Sequence, residues 1–479
     1  MSSILSDSLL FWRPELALAA GSLLSLLLGA WGRPSRAAIA TAWLTVFATA
    51  FLLVAAPGPS SAALFFDMIV IDPFASAFRW LVLVTTAIVL LMVVGSRDGT
   101  EPDRGEYAGL VLMVGLGLML MAQANNLLMA YVAVELVSLS SYLLVGFADD
   151  ARGREAALKY LFFGALSSGV MLFGMSLLFG LTGELGFLGL LQAASGWPAQ
   201  PPSIVMLSIL LILVGVAFKI SLVPFHMWTP DVYEGAPVPV TALLSVGPKA
   251  AALALLVRMV AALAPAWPTL GPVLIGLTVL TMTFGNLVAL VQTNVKRLFA
   301  YSTIGQVGYL LIGLVVQSPA GLQGMILYLI AYLFMNLGAF ACLAWVVQET
   351  GRESLDAFNG LGRRSPVLAF LLAVFLLSLA GIPPLFGFIG KFYLFGAAIQ
   401  TNHVVLAVAG AVNSAIALYY YVKLIRQMYL ATEDAPITPR GTLPLKIAAG
   451  ICAVATIGFG IFPALILAWL PQATQINLL

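Results

Sequence analysis

Almost the whole chain reads as apolar stretches of about 20 residues separated by short polar breaks, and this leaves few ways to fold. In hydrocarbon every backbone N–H and C=O must be satisfied within the structure, so only helices and closed barrels cross a bilayer. A barrel strand alternates polar and apolar residues, and runs such as 204–216 do not alternate. The mean hydropathy of +1.04, with 61% hydrophobic and 9% charged residues, excludes an ordinary soluble domain. The expected fold is an all-α polytopic membrane protein in the lipid bilayer.

Spans are expected to begin near Pro14, Ala37, Pro73, Tyr107, Asn126, Arg154, Ser203, Val238, Pro272, Leu298, Leu322, Pro366, Val404 and Leu445. Arg13 and Glu15 precede the first run with no cleavage site after it, so that run reads as a retained helix. Lys and Arg gather in the odd-numbered loops. They are Arg33 and Arg36, Arg97 and Arg104, Arg152 and Arg154, Lys296 and Arg297, Arg352, Arg363 and Arg364, then Arg426, Arg440 and Lys446. Basic loops favour the cytoplasm, so both termini are expected on the opposite side.

Two spans carry proline beside a lysine: Phe218 to His226, with Lys219 and Pro224, and Gly381 to Phe392, with Pro383, Pro384 and Lys391. Proline removes a helix hydrogen bond and clashes with the preceding turn. The twelfth span, 366–400, is also too long for one straight crossing at about 1.5 Å per residue. Helices 7 and 12 are therefore expected to be interrupted. Breaks at matching places in two halves point to inverted repeats around a buried site, whereas a kink alone can serve packing. The expected organisation is an N-terminal three-helix segment (1–106), five-helix repeats at 107–264 and 265–430, and a last helix in 431–479. A further break is expected at Gly247-Pro248, beside Lys249.

The few charges inside spans carry the functional reading, since each costs about 2.5–3.5 kcal/mol near the bilayer centre. Glu135 is too short to reach the interface and needs a partner, for which Lys219 is the natural candidate; a structural ion pair is the plainer alternative. Lys249 and Lys391 have no acid within a helical turn. Desolvation works against the charged form, so such lysines suit proton gain and loss, unless they merely snorkel to the interface. Lys159 and Glu155 fit either a relay or an ordinary i,i+4 surface pair. His226 fits either the proton path or the interface. Arg79 and Arg258 read as interfacial anchors.

Other chemistry is bounded by what is missing. Two cysteines, Cys342 and Cys452, cannot supply the four thiolates of an iron–sulfur cluster. His226 and His403 end and begin their spans, a poor setting for a bis-histidine haem. No dinucleotide or Walker motif is present. No basic patch suggests nucleic acid.

Three stretches, 224–242, 135–147 and 296–302, together with 387–393, resemble the subunit N family of proton-pumping NADH–quinone oxidoreductase (respiratory complex I). The resemblance spans essentially the chain. It implies the antiporter-like fold of 14 helices with two inverted repeats, and proton translocation through Glu135, Lys219, Lys249 and Lys391. It implies no cofactor in this chain; NADH, FMN, iron–sulfur clusters and quinone would belong to partner subunits. Those partners include neighbouring antiporter-like subunits of a bacterial inner membrane complex. The lysine at 391 suits subunit N, where subunit M would carry glutamate, and the long lateral helix of subunit L is lacking. A subunit of a multisubunit sodium/proton antiporter is the second reading, and a scaffold with vestigial charges the third.

Overall fold

The computed structural model describes residues 8–31, 35–55, 61–96, 104–148, 150–198, 200–431 and 441–478. The expected Arg33, Arg97 and Arg440 lie outside these residues. The bundle is built of α1 (Arg13–Ala30), α2 (Ser35–Ala55), α3 (Pro73–Gly95), α4 (Arg104–Gln123), α5 (Leu127–Val145), α6 (Ala151–Thr182), α7 (Ser203–Ile220) and α8 (Trp228–Gly235). It continues with α9 (Val238–Ala262), α10 (Trp267–Ala289), α11 (Val295–Val315), α12 (Pro319–Thr350), α13 (Pro366–Ala380), α14 (Phe386–Gln400), α15 (Val404–Leu430) and α16 (Leu443–Ile461). Among the described residues 13 helices are long and apolar enough to cross a membrane. The shorter Pro366–Ala380 leads into α14 and makes the remaining crossing. A two-stranded antiparallel hairpin, Ala62–Leu64 with Ile69–Ile71, and a short helix, Phe187–Ser195, fill the loops at one end.

Short polar side chains start these helices where the sequence breaks. Asn126 accepts from Met129 N at 2.7 Å, Asp150 from Gly153 N at 2.6 Å, and Ser318 from Gly321 N at 3.0 Å. Each satisfies one of the first-turn N–H groups that have no intrahelical partner. Glycine stops two of them, with Gly183 at φ 71° and Gly351 at φ 67°. Small residues let the spans approach closely: a Cβ on Gly285 of α10 would meet the Gly305 backbone of α11. Lipid tails are as apolar as leucine, so such packing, with interhelical hydrogen bonds, holds a membrane bundle together. The outward faces carry Leu44, Phe47 and Phe51 on α2 and Phe162, Leu166 and Phe173 on α6, all suited to lipid.

Both expected interruptions are present. Helix α7 ends at Ser221 with φ 61°, and α13 at Gly381 with φ 91°. Each closes with the same six-residue return bond, Leu222 N to Ala217 O at 2.9 Å and Ile382 N to Leu377 O at 3.0 Å. The X-Pro bonds Val223–Pro224 and Pro383–Pro384 are cis. The third expected break is not there. Helix α9 runs unbroken through Pro248 from Val238 to Ala262, and every residue on it but Ala261 is buried. Tertiary packing on all sides holds the helix together across the missing hydrogen bond.

Arg79 and Arg258 are not interfacial anchors. Arg258, fully buried, donates to Asp72 Oδ1 at 2.8 Å, Ala122 O at 3.1 Å and Asn477 O at 3.3 Å. Arg79 grips Glu15 with two bonds of 2.7 and 2.8 Å, and Gln123 donates to the same carboxylate at 2.5 Å. These clusters tie α1, α3, α4, α9 and the C-terminal segment together. Removing one partner would leave an uncompensated buried charge, a loss of about 3–5 kcal/mol.

Candidate functional site

The first break sets Lys219 in the last turn of α7, where the unpaired carbonyls and the negative end of the helix favour a cation. The second does the same for Lys391 by a different route. Lys391 stands on α14, after its break, and reaches back to the carbonyl end of α13. Its Nζ donates to Leu379 O at 3.0 Å, Ala380 O at 3.1 Å and Ser414 Oγ at 3.1 Å. The two lysines thus flank their breaks from opposite sides, where the sequence pattern had suggested one repeated arrangement.

Lys219 and Lys249 are buried, and neither ammonium group has a hydrogen-bond partner among the described residues. Their surroundings are aromatic. Lys219 Nζ lies 5.7 Å from the Tyr160 ring and 5.4 Å from Phe218; Lys249 Nζ lies 4.7 Å from Trp228 and 5.4 Å from Tyr233. Tyr160 and Trp228 stack with centroids 4.5 Å apart, so one aromatic pair touches both lysines. A ring face attracts a cation without fixing it through a hydrogen bond.

Glu135 makes no ion pair with Lys219. One carboxylate oxygen is buried and without a partner, while the residue as a whole is half-buried on an outward stripe of α5 with Leu128, Val132 and Leu139. The expected contact pair is therefore absent, and the buried charges here are the lysines, with Glu135 toward the outer face of the bundle. His226 is buried, with its ring against Phe284 at a centroid distance of 4.6 Å.

Lys159 sits at the end of the bundle where the odd loops lie. It pairs with Glu155 at 2.9 Å and also with Asp231 at 2.9 Å. Arg297 bridges Asp231 and Glu234, each at 2.8 Å. These side chains and Arg152 line a cleft of about 280 Å³. Lys159 is 41% exposed, so this is a solvated surface network and lies apart from the buried lysines.

A polar row was not expected from sequence. Tyr328, Tyr332 and Asn336 recur every fourth residue on one face of α12, all buried. Tyr328 donates to Gln306, Tyr332 to Thr303 at 3.0 Å, and Asn336 to Ser245 at 2.6 Å, one turn before Lys249. The only signal in sequence is that spacing of polar side chains in an otherwise apolar helix. Among the described residues no group of three His, Cys, Asp or Glu could hold a metal. Cys342 and Cys452 are buried free thiols on α12 and α16.

A multi-pass helical bundle with two broken spans fits the antiporter-like class of membrane subunits, and the comparisons agree on the family and the fold. Residues 124–417 match the model for the family described as NADH:quinone oxidoreductase/Mrp antiporter, TM, and the chain belongs to that family. It is 44% identical over 464 residues to NADH-quinone oxidoreductase subunit N 2 of Sorangium cellulosum (strain So ce56), covering 90% of this chain and 91% of that one. It superposes on a chain of respiratory complex I from Thermus thermophilus with bound aureothin at a TM-score of 0.82 and 33% identity, covering 96% and 99%. A chain of the Mrp complex from Dietzia sp. DQ12-45-1b gives a TM-score of 0.86 at 22% identity, covering 98% and 96%, and shares the fold.

Proposed function

We propose that this chain is a subunit-N-type membrane subunit of an NADH–quinone oxidoreductase, translocating protons with energy released by redox chemistry in other subunits. The observation that carries the reading is the set of buried lysines Lys219, Lys249 and, beyond the second break, Lys391, with the half-buried Glu135 on α5, in a bundle whose chain is 44% identical to a subunit N. Glu135 and the three lysines are read as proton-carrying groups, with Lys159 and His226 as secondary members. NADH, FMN, iron–sulfur clusters and quinone are read as held by partner subunits, since two thiols on separate helices cannot ligate a cluster. The matching closures after α7 and α13 support reading 107–264 and 265–430 as inverted repeats. The membrane is read as the bacterial inner membrane, with both termini on its periplasmic side.

The sodium/proton antiporter reading draws on a likeness of fold alone, at 22% identity. One experiment separates the two. In membrane vesicles carrying the intact complex, Lys219→Met and Lys391→Met are expected to abolish NADH-driven proton uptake while the complex still assembles. Full proton uptake in both would refute the assignment. Sodium exchange without NADH, abolished by the same changes, would favour the antiporter.

A further inference from the structure

Gln306 lies on α11, buried at 1% exposure. Its carboxamide N–H groups donate to Leu379 O at 3.2 Å and to Tyr421 OH at 3.1 Å, and its oxygen accepts from Tyr328 OH. Tyr421 in turn shares a 2.5 Å bond with Ser302, one turn earlier on α11. The Leu379 carbonyl is the informative partner. It is left open because α13 stops at Gly381, and the end of a helix leaves its last carbonyls without intrahelical donors. The same oxygen accepts from Lys391 Nζ at 3.0 Å. One carbonyl therefore receives the functional ammonium on one side and Gln306 on the other.

Hydrogen bonds between membrane helices often serve only as glue. Glue accounts for a bond from Gln306 to a tyrosine. It gives no reason for the amide to reach one of the two carbonyls that also hold Lys391. Nor does it explain why the other end of the amide holds Tyr328, the first member of the row that runs through Tyr332 toward Asn336, Ser245 and Lys249. A carboxamide has two donors and two acceptor sites but no proton to pass on. Its part is thus to orient.

We propose that Gln306 is a positioning residue for Lys391, holding the Leu379 carbonyl and the Tyr328 and Tyr421 hydroxyls in one cluster so that Lys391 exchanges protons with the polar row leading to Lys249. This rests on the proton-translocating reading of Lys391.

The test uses the intact complex in membrane vesicles, comparing Gln306→Met, which keeps the volume and removes every bond, with Gln306→Glu. The neutral carboxyl form keeps an acceptor and one O–H donor. Methionine is expected to lower NADH-driven proton uptake about tenfold or more, as loss of alignment does, with complex content unchanged; glutamate is expected to restore most of it. Full uptake with methionine overturns the proposal, because packing alone would then suffice. Equal loss with both variants overturns it too, because the hydrogen bonds would not be what matters. If the methionine complex does not assemble, Tyr421→Phe removes the hydroxyl's bonds to Gln306 and Ser302 and almost no volume, and full uptake there is equally fatal. Lys391→Met is run alongside. If it pumps at the full rate, the underlying reading of Lys391 fails; if it is inactive while Gln306→Met is active, only the role of Gln306 fails.

Discussion

The buried lysines hold their ammonium groups in two ways, and this decides what a substitution can report. Lys391 spends its three donors on two backbone carbonyls and Ser414, a compact site shaped for an ammonium. Arginine there would misfit as well as stay charged, so its failure would be ambiguous. Lys249 rests on the faces of Trp228 and Tyr233 with no hydrogen bond among the described residues. A guanidinium also stacks on aromatic faces, but it stays protonated. Lys249→Arg is therefore the sharper probe. It is expected to leave assembly intact and slow proton pumping on the order of a hundredfold, the scale of a lost acid–base group. Pumping at the wild-type rate would mean that a fixed positive charge is enough at this position.

The helix breaks show how far local sequence reaches. Pro224 and the Pro383-Pro384 pair announced interruptions because proline removes a helix hydrogen bond and clashes with the preceding turn, and the chain turns left-handed just before each, at Ser221 and Gly381. Pro248 carries the same local signal, yet α9 is packed on every side and stays continuous. Proline thus reports a lost hydrogen bond, and only the surroundings decide whether the helix stops. For the same reason the four charged positions were legible, while Gln306, Tyr328 and Asn336 were not: their meaning lies in partners on other helices. The two left-handed residues also differ. Ser221 tolerates φ 61° and accepts a 2.8 Å bond from Thr229 Oγ1. Gly381 lies at φ 91°, and a Cβ there would stand 3.0 Å from Lys391 Cδ. Gly381→Ala is expected to cost about 1–2 kcal/mol of strain and to push Lys391 off its carbonyls. Lower thermal stability together with reduced pumping is the predicted result. An alanine variant that matches wild type in both would show that the break needs no glycine.

Across the whole molecule charge is divided between the two ends of the bundle. At one end Lys159, Arg297 and Lys296 meet Glu155, Asp231, Glu234 and Glu353 in partly exposed networks. At the other the cations Arg79 and Arg258 are buried in pairs with Glu15 and Asp72. Buried pairs add nothing to the charge a loop presents, so correcting these two arginines sharpens the asymmetry. Basic residues near span ends are retained on the cytoplasmic side. By that rule the end carrying Lys159 and Arg297 is expected on the cytoplasmic side. With fourteen crossings among the described residues, an even number, both termini are expected at the opposite end, where residues Gln475 and Asn477 bind the backbone of Phe74 and the side chains of Asp72 and Arg258. A periplasm-dependent reporter joined to the C-terminus through a flexible linker is expected to be active, and one that works only in the cytoplasm to be silent. The reverse pattern would mean that one crossing is miscounted. The helix pair α13 and α14, a crossing made of two short pieces, would be the first place to look.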